Sequence, residues 1–428
     1  MRSVWRRRLG STAGTRSGTT SFLTDAEGHL GHWERQVRFS EVLEARNGAD
    51  GALELRFREP HEQSRFVFGG DVVDHGPGDM RIANALVDFK QRHPDRVWLL
   101  AGNRDLNKLY LRGVLRDLFK RDPRGAVDVL KTTLKRKMGA PHAFEQRRLE
   151  LGQIRGESEV SDLDVVQSFQ ESVEPGGFML RFLQNAQLGL VLGDTLFVHG
   201  AVPQRGLGFV PGQEDRAPGP LTWMDRLNVF FRAEIDRFAH DRSDGRDLIE
   251  YSRPGGFDGR GVVYNSWLES VFSSVPAEIP EAVVSFLSRD GICRVLSGHR
   301  PHGDTPTVIR DASRRLSVVT SDISYADKDA ADSRGKVVTE TLVMTKQGSQ
   351  PSTCRVRGVR RDDTKYDFVV EDKATPWLGR PTPKEWGIPG GHAKIALAQD
   401  ECLVCQGKGE GFWGSDLNNF ALRVSSNA

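Results

Sequence analysis

The feature that most constrains the fold of this chain is a series of short apolar, β-branched runs that each end abruptly in small or polar residues. Five of them precede residue 300, at positions 21–24, 65–68, 96–101, 195–198 and 293–297. Runs of this length bounded by turn signals are typical of buried parallel strands. Residues 79–92 have helical periodicity, and such a crossover makes the strands on either side a parallel pair. The sequence therefore predicts an α/β fold with polar residues gathered at the strand C-terminal ends.

Two insertions and a closing sheet are expected around this core. Residues 110–190 have mainly helical periodicity and predict a helical insertion, whereas the Gly-, Pro- and charge-rich residues 203–261 predict a loop-rich insertion. The closing β-sheet is predicted from four later runs, at positions 316–320, 337–344, 354–359 and 366–370. The main domain is thus expected to span 21–373, and residues 374–428 to form a linker and a small C-terminal extension.

The first 20 residues form a basic segment. They contain five arginines, several serines and threonines, and no acidic residue precedes Asp25. This composition fits an organelle transit peptide and a disordered basic tail equally well. The expected location is therefore the cytoplasm, or a mitochondrion or plastid if the segment is a transit peptide.

Charge and cysteine content exclude several classes of partner. The chain has 60 Lys and Arg against 58 Asp and Glu, so it lacks the excess of positive charge that nucleic-acid binding requires. No apolar run is long enough to span a bilayer, and four scattered cysteines do not form a disulfide framework. Cys402 and Cys405 match half of a zinc ribbon, but a closed zinc site needs four ligands. We expect no nucleic-acid or membrane partner, and nothing indicates the oligomeric state.

Candidate metal ligands follow the predicted strands. They are Asp25, Glu27, Asp71, Asn103, His199 and His299. Because sites in open α/β sheets lie just outside the strand carboxyl ends, residues remote in sequence can converge there. Oxygen ligands and imidazoles in this proportion suit first-row divalent metals, and one carboxylate can bridge two ions.

The order of these residues resembles the motif series of the calcineurin-like metallophosphoesterases. The chain has Asp25-x-Glu27, Gly70-Asp71-Val72-Val73-Asp74-His75-Gly76, Gly102-Asn103-Arg104-Asp105, Val198-His199-Gly200 and Gly298-His299, which are similar to DxH, GDxxDxG, GNH(D/E), HG and GH. The phosphoprotein phosphatase and diadenosine tetraphosphate hydrolase branch is the most similar. Residues 320–325 also resemble the strand and turn that follow the last metal histidine there. The resemblance implies a metallophosphoesterase-type β-sandwich flanked by helices.

The resemblance also implies a dinuclear metal site. Asp71 would bridge two ions, with Asn103, His199 and His299 completing the first site. Asp25 and Glu27 would hold the second ion together with Asp71. Because Glu27 stands where the family has a histidine, the second site offers oxygen ligands only, which favours Mn²⁺ or Mg²⁺ over softer ions. The two expected ions are therefore Mn²⁺, with Fe or Zn as alternatives.

Arg104 is the second departure from the family pattern, because it replaces the histidine that protonates the leaving group. A guanidinium does not lose its proton near pH 7, so Arg104 cannot serve as that acid. We expect it to bind phosphate bidentately and to pair with Asp74, the residue that orients the family histidine. Arg300 is a further candidate for contact with phosphate. The predicted catalytic residues are therefore Asp74 and Arg104.

Three functions are compatible with these residues. The first is hydrolysis of phosphomonoesters, with a protein phosphoserine or phosphothreonine as the substrate of the most similar branch. The second is hydrolysis of a nucleotide or dinucleoside polyphosphate. The third is a catalytically impaired phosphatase-like module that binds a phospholigand. The expected partner is accordingly a phosphorylated protein or a small phosphoester.

Overall fold

The computed structural model describes residues 18–47, 53–59, 63–267, 276–323, 336–345, 350–407 and 417–424. The strands within these ranges are β1 (Gly18–Leu23), β2 (Leu43–Asn47), β3 (Leu53–Phe57), β4 (Arg65–Phe68), β5 (Val97–Leu100), β6 (Ala186–Gln187), β7 (Gly189–Leu192), β8 (Thr195–Val198), β9 (Arg294–Ser297), β10 (Thr307–Arg310), β11 (Ser317–Thr320), β12 (Val338–Thr345), β13 (Thr353–Val359), β14 (Lys365–Val369), β15 (Gly391–Ala398), β16 (Glu401–Gly407) and β17 (Leu417–Arg423). The α-helices are α1 (Leu30–Phe39), α2 (Asp79–Arg92), α3 (Asn103–Asn107), α4 (Tyr110–Arg121), α5 (Pro123–Arg136), α6 (Ala143–Arg155), α7 (Asp162–Ser172), α8 (Phe178–Asn185), α9 (Pro220–Ala239), α10 (Arg246–Ser252) and α11 (Glu281–Ser288).

Two sheets form the centre of the molecule. The first has the strand order β14-β13-β12-β1-β4-β5-β6, and the second has the order β10-β11-β9-β8-β7. Strands β1, β4 and β5 run parallel, as do β8 and β9, whereas β12, β13 and β14 are antiparallel. The parallel strands predicted from the apolar runs are therefore confirmed, and their C-terminal ends lie on the same side of each sheet.

The two sheets pack face to face. Their inner faces form one buried apolar cluster that includes Phe22 and Val67 of the first sheet and Phe197 and Leu296 of the second. The rings of Phe22 and Phe197 have centroids 5.7 Å apart. Because side chains alternate along a strand, the neighbouring residues point outward, where helices cover them. The architecture is thus the predicted α/β sandwich flanked by helices.

Helices cover the outer face of each sheet. On the first sheet, Trp33 of α1 and Phe182 of α8 both meet Phe68 of β4 edge-on. Near the second sheet, Trp223 of α9 packs edge-on against Phe286 of α11. This packing fixes the helices against the sheets, and the loops at the strand ends emerge between them.

The predicted loop-rich segment 203–261 contains a long helix instead. Helix α9 spans 20 residues and begins at Pro220, a residue well suited to the first helical position. Its apolar side chains recur at helical spacing and are buried, namely Trp223, Leu227, Phe231, Ile235 and Phe238. The Gly and Pro residues that favoured a loop lie outside the helix or at its first position.

Residues 374–391, the first part of the predicted linker and C-terminal extension, pack against the sandwich. Leu378 is fully buried, and the Arg310 backbone N–H donates to the Gly379 carbonyl at 2.8 Å. Strands β15, β16 and β17 follow as a separate antiparallel sheet. Almost all of the predicted N-terminal segment, and positions 324 and 325 of the family-like turn, lie outside the described residues. Within the described ranges, no helix combines the length and the apolar character needed to cross a membrane.

Candidate metal centre

The candidate ligands lie in unusual backbone conformations at the strand ends. Ten described residues other than glycine have positive φ, and four of them are candidate ligands: Asp25 (53°), Glu27 (46°), Asp71 (55°) and His299 (77°). Asp74 is a fifth, with φ 113°. Such conformations carry a steric cost and cluster at functional sites. Half of the strained residues in the described part of the chain therefore fall in this one place.

Backbone hydrogen bonds join the loops that follow β1 and β4. The Asp25 N–H donates to the Gly70 carbonyl at 2.9 Å, and the Glu27 N–H donates to the Asp71 carbonyl at 3.0 Å. The close approach of a third loop requires glycine, since a Cβ on Gly102 would lie 2.1 Å from Asp71 Oδ1. These contacts fix the positions of the carboxylates of different loops relative to one another.

Asp105 fixes the position of the bridging candidate. Its buried carboxylate accepts hydrogen bonds from the backbone N–H groups of Asp71 (2.9 Å), Val72 (2.8 Å) and Gly102 (2.8 Å). Burial, together with the charge of Asp71, raises the Asp105 pKa to about 7. These bonds make Asp105 a cap of the turn and of helix α3, which joins the loops after β4 and β5.

The first group of candidate ligands consists of Asp71, His199 and His299, whose ligand atoms lie within 4.8 Å of one another. His199 Nδ1 donates to the Gly69 carbonyl at 2.8 Å, which leaves its Nε2 facing Asp71 Oδ1 at 3.3 Å and Asn103 Oδ1 at 3.2 Å. His299 Nδ1 is buried and has no hydrogen-bond partner among the described residues. Acceptor atoms from four strand ends thus converge on one point.

A positive charge at this point would satisfy all of the converging atoms. Burial lowers the His199 pKa, but the charges of Asp71 and Asp25 outweigh it and raise the pKa to about 10. Burial and the neighbouring His199 lower the His299 pKa to about 3, so that imidazole is neutral near pH 7. A divalent cation would take the place of the proton on His199 and would also satisfy His299 Nδ1. The residues of the first group, with Asn103, therefore fit a metal ion.

The second group of candidate ligands, Asp25, Glu27 and Asp71, already has a cation against it. Its carboxylate atoms also lie within 4.8 Å of one another, but Arg104 Nε is 2.7 Å from Glu27 Oε1 and 3.6 Å from Asp71 Oδ2. Arg104 Nη1 lies 3.6 Å from Asp74 Oδ2, so the expected contact with Asp74 is present as a longer pair. The second group therefore fits a further metal ion poorly while the guanidinium stays in this position.

Lys108 belongs to the same cluster and was not identified from the sequence. Its Nζ donates to Asp74 Oδ2 at 2.8 Å and to the Arg104 carbonyl at 3.0 Å, and the residue is only 3% exposed. The available signal was its position four residues after Arg104, which places both side chains on one helical face. Of the two cations near Asp74, Lys108 therefore forms the shorter ion pair, at 2.8 Å against 3.6 Å for Arg104.

A cleft of about 330 Å³ opens beside the first group. Asp71, Asn103, Arg104 and His299 line it together with Tyr264, whose ring centroid lies 4.8 Å from that of His299. Side chains from distant segments complete the lining, including Tyr110, Lys137, Met138 and Ile249. The candidate metal ligands are therefore accessible from a pocket with both apolar and basic walls.

Arg300 is not one of the residues that line this cleft. It borders a separate small cavity of about 10 Å³ with Gly298, His302 and Trp267. Its guanidinium does act electrostatically on Tyr264 of the cleft lining. The predicted contact of Arg300 with phosphate stays a prediction.

The cysteines of the predicted zinc-ribbon half are buried in strand β16. Burial raises the pKa of Cys402 to about 12 and that of Cys405 to about 11, so both are neutral thiols. Among the described residues, no group of three or more ligating side chains includes a cysteine. Packing in a sheet accounts for both residues.

Comparisons with known proteins give structural likenesses only. No protein-family model matches the chain, and no curated protein matches its sequence. Among solved structures, a cold-active protein-tyrosine phosphatase of a psychrophilic Shewanella species is similar over 82% of this chain and 80% of that chain, with 13% identity and a TM-score of 0.44. A protein serine/threonine phosphatase from Saccharomyces cerevisiae, with similarity to human phosphatase PP5, is similar over 81% of this chain and 82% of that chain, with 15% identity and a TM-score of 0.39.

A metallophosphoesterase from Sphaerobacter thermophilus is also similar, over 84% of this chain and 90% of that chain, with 8% identity and a TM-score of 0.31. With TM-scores below 0.5 these likenesses are loose, so the assignment of the site depends on its own geometry. That geometry has the arrangement which the motif resemblance implied: a two-sheet sandwich flanked by helices, with the residues of all five motif blocks gathered at one end.

Proposed function

We propose that the chain is a metal-dependent phosphoesterase that hydrolyses phosphomonoesters. The observation that carries the proposal is the convergence of Asp71, Asn103, His199 and His299 from four strand ends, on a point that needs a cation and adjoins an open cleft. An ion there would lie beside the cleft, where a ligand can reach it. Phosphoryl transfer depends mainly on positioning and charge stabilisation, and this arrangement supplies both.

The donor set limits the metal. Asp71 and Asn103 would offer oxygen, and His199 and His299 imidazole nitrogen, which suits Mn²⁺, Fe or Zn²⁺ better than Ca²⁺ or Mg²⁺. When bound, such an ion supplies Lewis-acid activation of a phosphoryl group and of water. The hydrogen bond from His199 Nδ1 to the Gly69 carbonyl orients the ring, a partnership usual for metal-ligating histidines.

The chain's own residues would bind and orient the phosphate. Arg104 places a permanent positive charge in the cleft lining, and Lys137 adds an exposed one. The apolar side chains of Tyr110, Met138 and Tyr264 would contact the organic part of the ester. A cleft of about 330 Å³ is at the small end for ligand sites, which supports a substrate the size of a phosphorylated side chain.

The test is turnover by the reconstituted full chain. We expect hydrolysis of p-nitrophenyl phosphate and of a phosphoserine or phosphothreonine peptide, with a dinucleoside polyphosphate as the competing substrate. Lys137→Met should raise KM and leave kcat nearly unchanged, because Lys137 is remote from the candidate ligands in sequence and exposed at the cleft. Metal-loaded protein that turns over neither of the two phosphomonoesters would refute the proposal.

A second candidate function is a phospholigand-binding module without catalysis. The observation that favours it is the burial of Arg104 among carboxylates, at the position where the family has its acid. Such a module would bind phosphate or a phosphopeptide, and the number of phosphopeptides bound per chain would not change over time. It would release no inorganic phosphate from the phosphopeptide. Calorimetry combined with a phosphate-release assay on the same sample separates the two functions.

A further inference from the structure

The second group of carboxylates has a protein cation where a second metal would have to bind. Glu27 is 3% exposed and Asp71 is 1% exposed, and buried carboxylates require a compensating charge. Arg104 supplies that charge through its Nε, at 2.7 Å from Glu27 and 3.6 Å from Asp71. From these contacts, and from the proposed metal centre on which this inference rests, we infer that the chain binds one divalent ion, with Arg104 serving as the fixed second cation.

The backbone holds Arg104 in this position. Its N–H donates to Asp71 Oδ1 at 2.8 Å, and its carbonyl accepts from Lys108 Nζ at 3.0 Å. Its Nη1 also faces the Asp74 carboxylate, which accepts the 2.8 Å bond from Lys108 as well. The guanidinium is therefore held at both its backbone and its side chain, and the side chain is only 8% exposed.

Asp25, the remaining carboxylate of the second group, also has a hydrogen-bond partner. Both Asp25 oxygens accept from the His299 backbone N–H at 3.1 Å, and Cβ on Gly298 would lie 2.1 Å from Asp25 Oδ2. Asp25 thus positions the loop that carries His299. A second ion would have to displace Arg104 from Glu27 and then sit beside a guanidinium of the same sign, which disfavours binding.

This arrangement assigns different roles to the two groups of ligands. Asp71 remains shared, but its Oδ1 faces His199 while its Oδ2 faces Arg104. Glu27 becomes a positioning residue for Arg104 and not a metal ligand. Two positive charges would then flank Asp71. One is an exchangeable metal ion, and the other is the guanidinium of Arg104.

The experiment measures metal stoichiometry without reference to activity. Wild-type protein and Arg104→Met are stripped with a chelator, equilibrated with Mn²⁺, dialysed and analysed for metal content, and both are examined by electron paramagnetic resonance. We expect about one Mn²⁺ per chain and the six-line signal of an isolated ion in the wild type. Arg104→Met should bind about two ions with a spin-coupled signal, since two ions in such a site lie about 3.5–4 Å apart.

Two further variants keep the inference testable if Arg104→Met does not fold. Glu27→Gln should retain about one Mn²⁺, because Glu27 is not a ligand in this scheme, whereas a two-metal site would lose an ion. Arg300→Met is the matched control, because it removes an arginine next to His299 whose charge interacts with Tyr264, and it should leave the stoichiometry at about one. Circular dichroism verifies the fold of each variant.

The outcomes separate this inference from the proposed function. Two ions in the wild type, or one ion in both the wild type and a folded Arg104→Met, would overturn the role of Arg104 and leave the phosphoesterase proposal standing. Absence of any bound ion in the wild type would overturn both. One ion in the wild type with two in Arg104→Met supports the inference, as does one ion in both the wild type and Glu27→Gln.

Discussion

The buried ion pair between Lys108 and Asp74 gives a sharp test of the cluster beneath the candidate site. Lys108→Met keeps the length and apolar stem of the side chain but removes its charge. The Asp74 side chain is fully buried, and its Oδ1 already has no hydrogen-bond partner among the described residues. Loss of Lys108 would leave only Arg104, at 3.6 Å, to compensate the carboxylate.

The magnitude follows from the cost of an uncompensated buried charge. Removing one partner of a buried pair costs about 3–5 kcal/mol, and because Arg104 remains nearby we expect the lower end, about 3 kcal/mol. That is a large part of the roughly 5–15 kcal/mol by which folded proteins are stable. With a urea m-value of about 3 kcal/mol/M, the unfolding midpoint would fall by about 1 M.

The matched control is an ion pair of similar length at the surface. Lys336 Nζ lies 2.6 Å from Asp363 Oδ2, but the side chains are 53% and 73% exposed. Exposed pairs contribute about 0–1 kcal/mol, so Lys336→Met should shift the midpoint by less than about 0.3 M. Urea unfolding followed by circular dichroism at pH 7 measures both variants. Equal midpoints for Lys108→Met and Lys336→Met would show that Asp74 does not depend on Lys108 for its charge.

Three further predictions concern the ligands, the leaving group and acid stability. His199→Ala should lower metal affinity and kcat/KM by at least about 100-fold, measured by Mn²⁺ titration and p-nitrophenyl phosphate turnover; unchanged Mn²⁺ affinity would remove His199 from the ligand set. Because Arg104 cannot give up its proton, aryl phosphates should be cleaved much faster than alkyl phosphates, and equal rates would mean that another acid protonates the leaving group. Burial lowers the pKa of His392 from 6.5 to about 4, so the folded state binds fewer protons than the unfolded state between these values. The free energy of unfolding should then fall by up to about 3 kcal/mol as the pH drops from 6.5 to 4. His392→Gln retains a donor for the Val308 carbonyl and should show a smaller fall. An equal fall in the variant would mean that other groups cause the acid sensitivity.

The positions of the candidate metal ligands were predictable because local pattern determines them. Strand β8 and helix α2 have the bounds expected from apolar runs and helical periodicity, and the polar residues after each run mark the strand ends. Parallel strands then bring Asp71, Asn103 and His199 together, whatever the intervening sequence. The alternation of side chains along a strand and the shared direction of the parallel strands therefore determine where the candidate ligands lie.

The surroundings of the ligands were not predictable, because they depend on contacts between distant segments. The sequence indicated Asp74 as the partner of Arg104, whereas Glu27 is closer, at 2.7 Å against 3.6 Å. The role of Lys108 depends on where helix α3 begins and on a carboxylate 34 residues earlier. The cleft likewise combines Tyr110 with Ile249, and no local pattern relates two such segments.

The two departures from the family motif contact each other, and this leads to the last prediction. Glu27 and Arg104 each stand where the similar motifs have a histidine. Glu27 adds a negative charge, Arg104 adds a positive charge, and the two side chains pair at 2.7 Å. In metal-free protein, Glu27→His and Arg104→His should each cost about 3 kcal/mol, because each removes the nearest partner of a buried charge. The double variant should recover about 2 kcal/mol relative to the sum of the single effects, because neither charge remains. Urea unfolding in the presence of a chelator measures the cycle, and strictly additive losses would show that the two substitutions are independent.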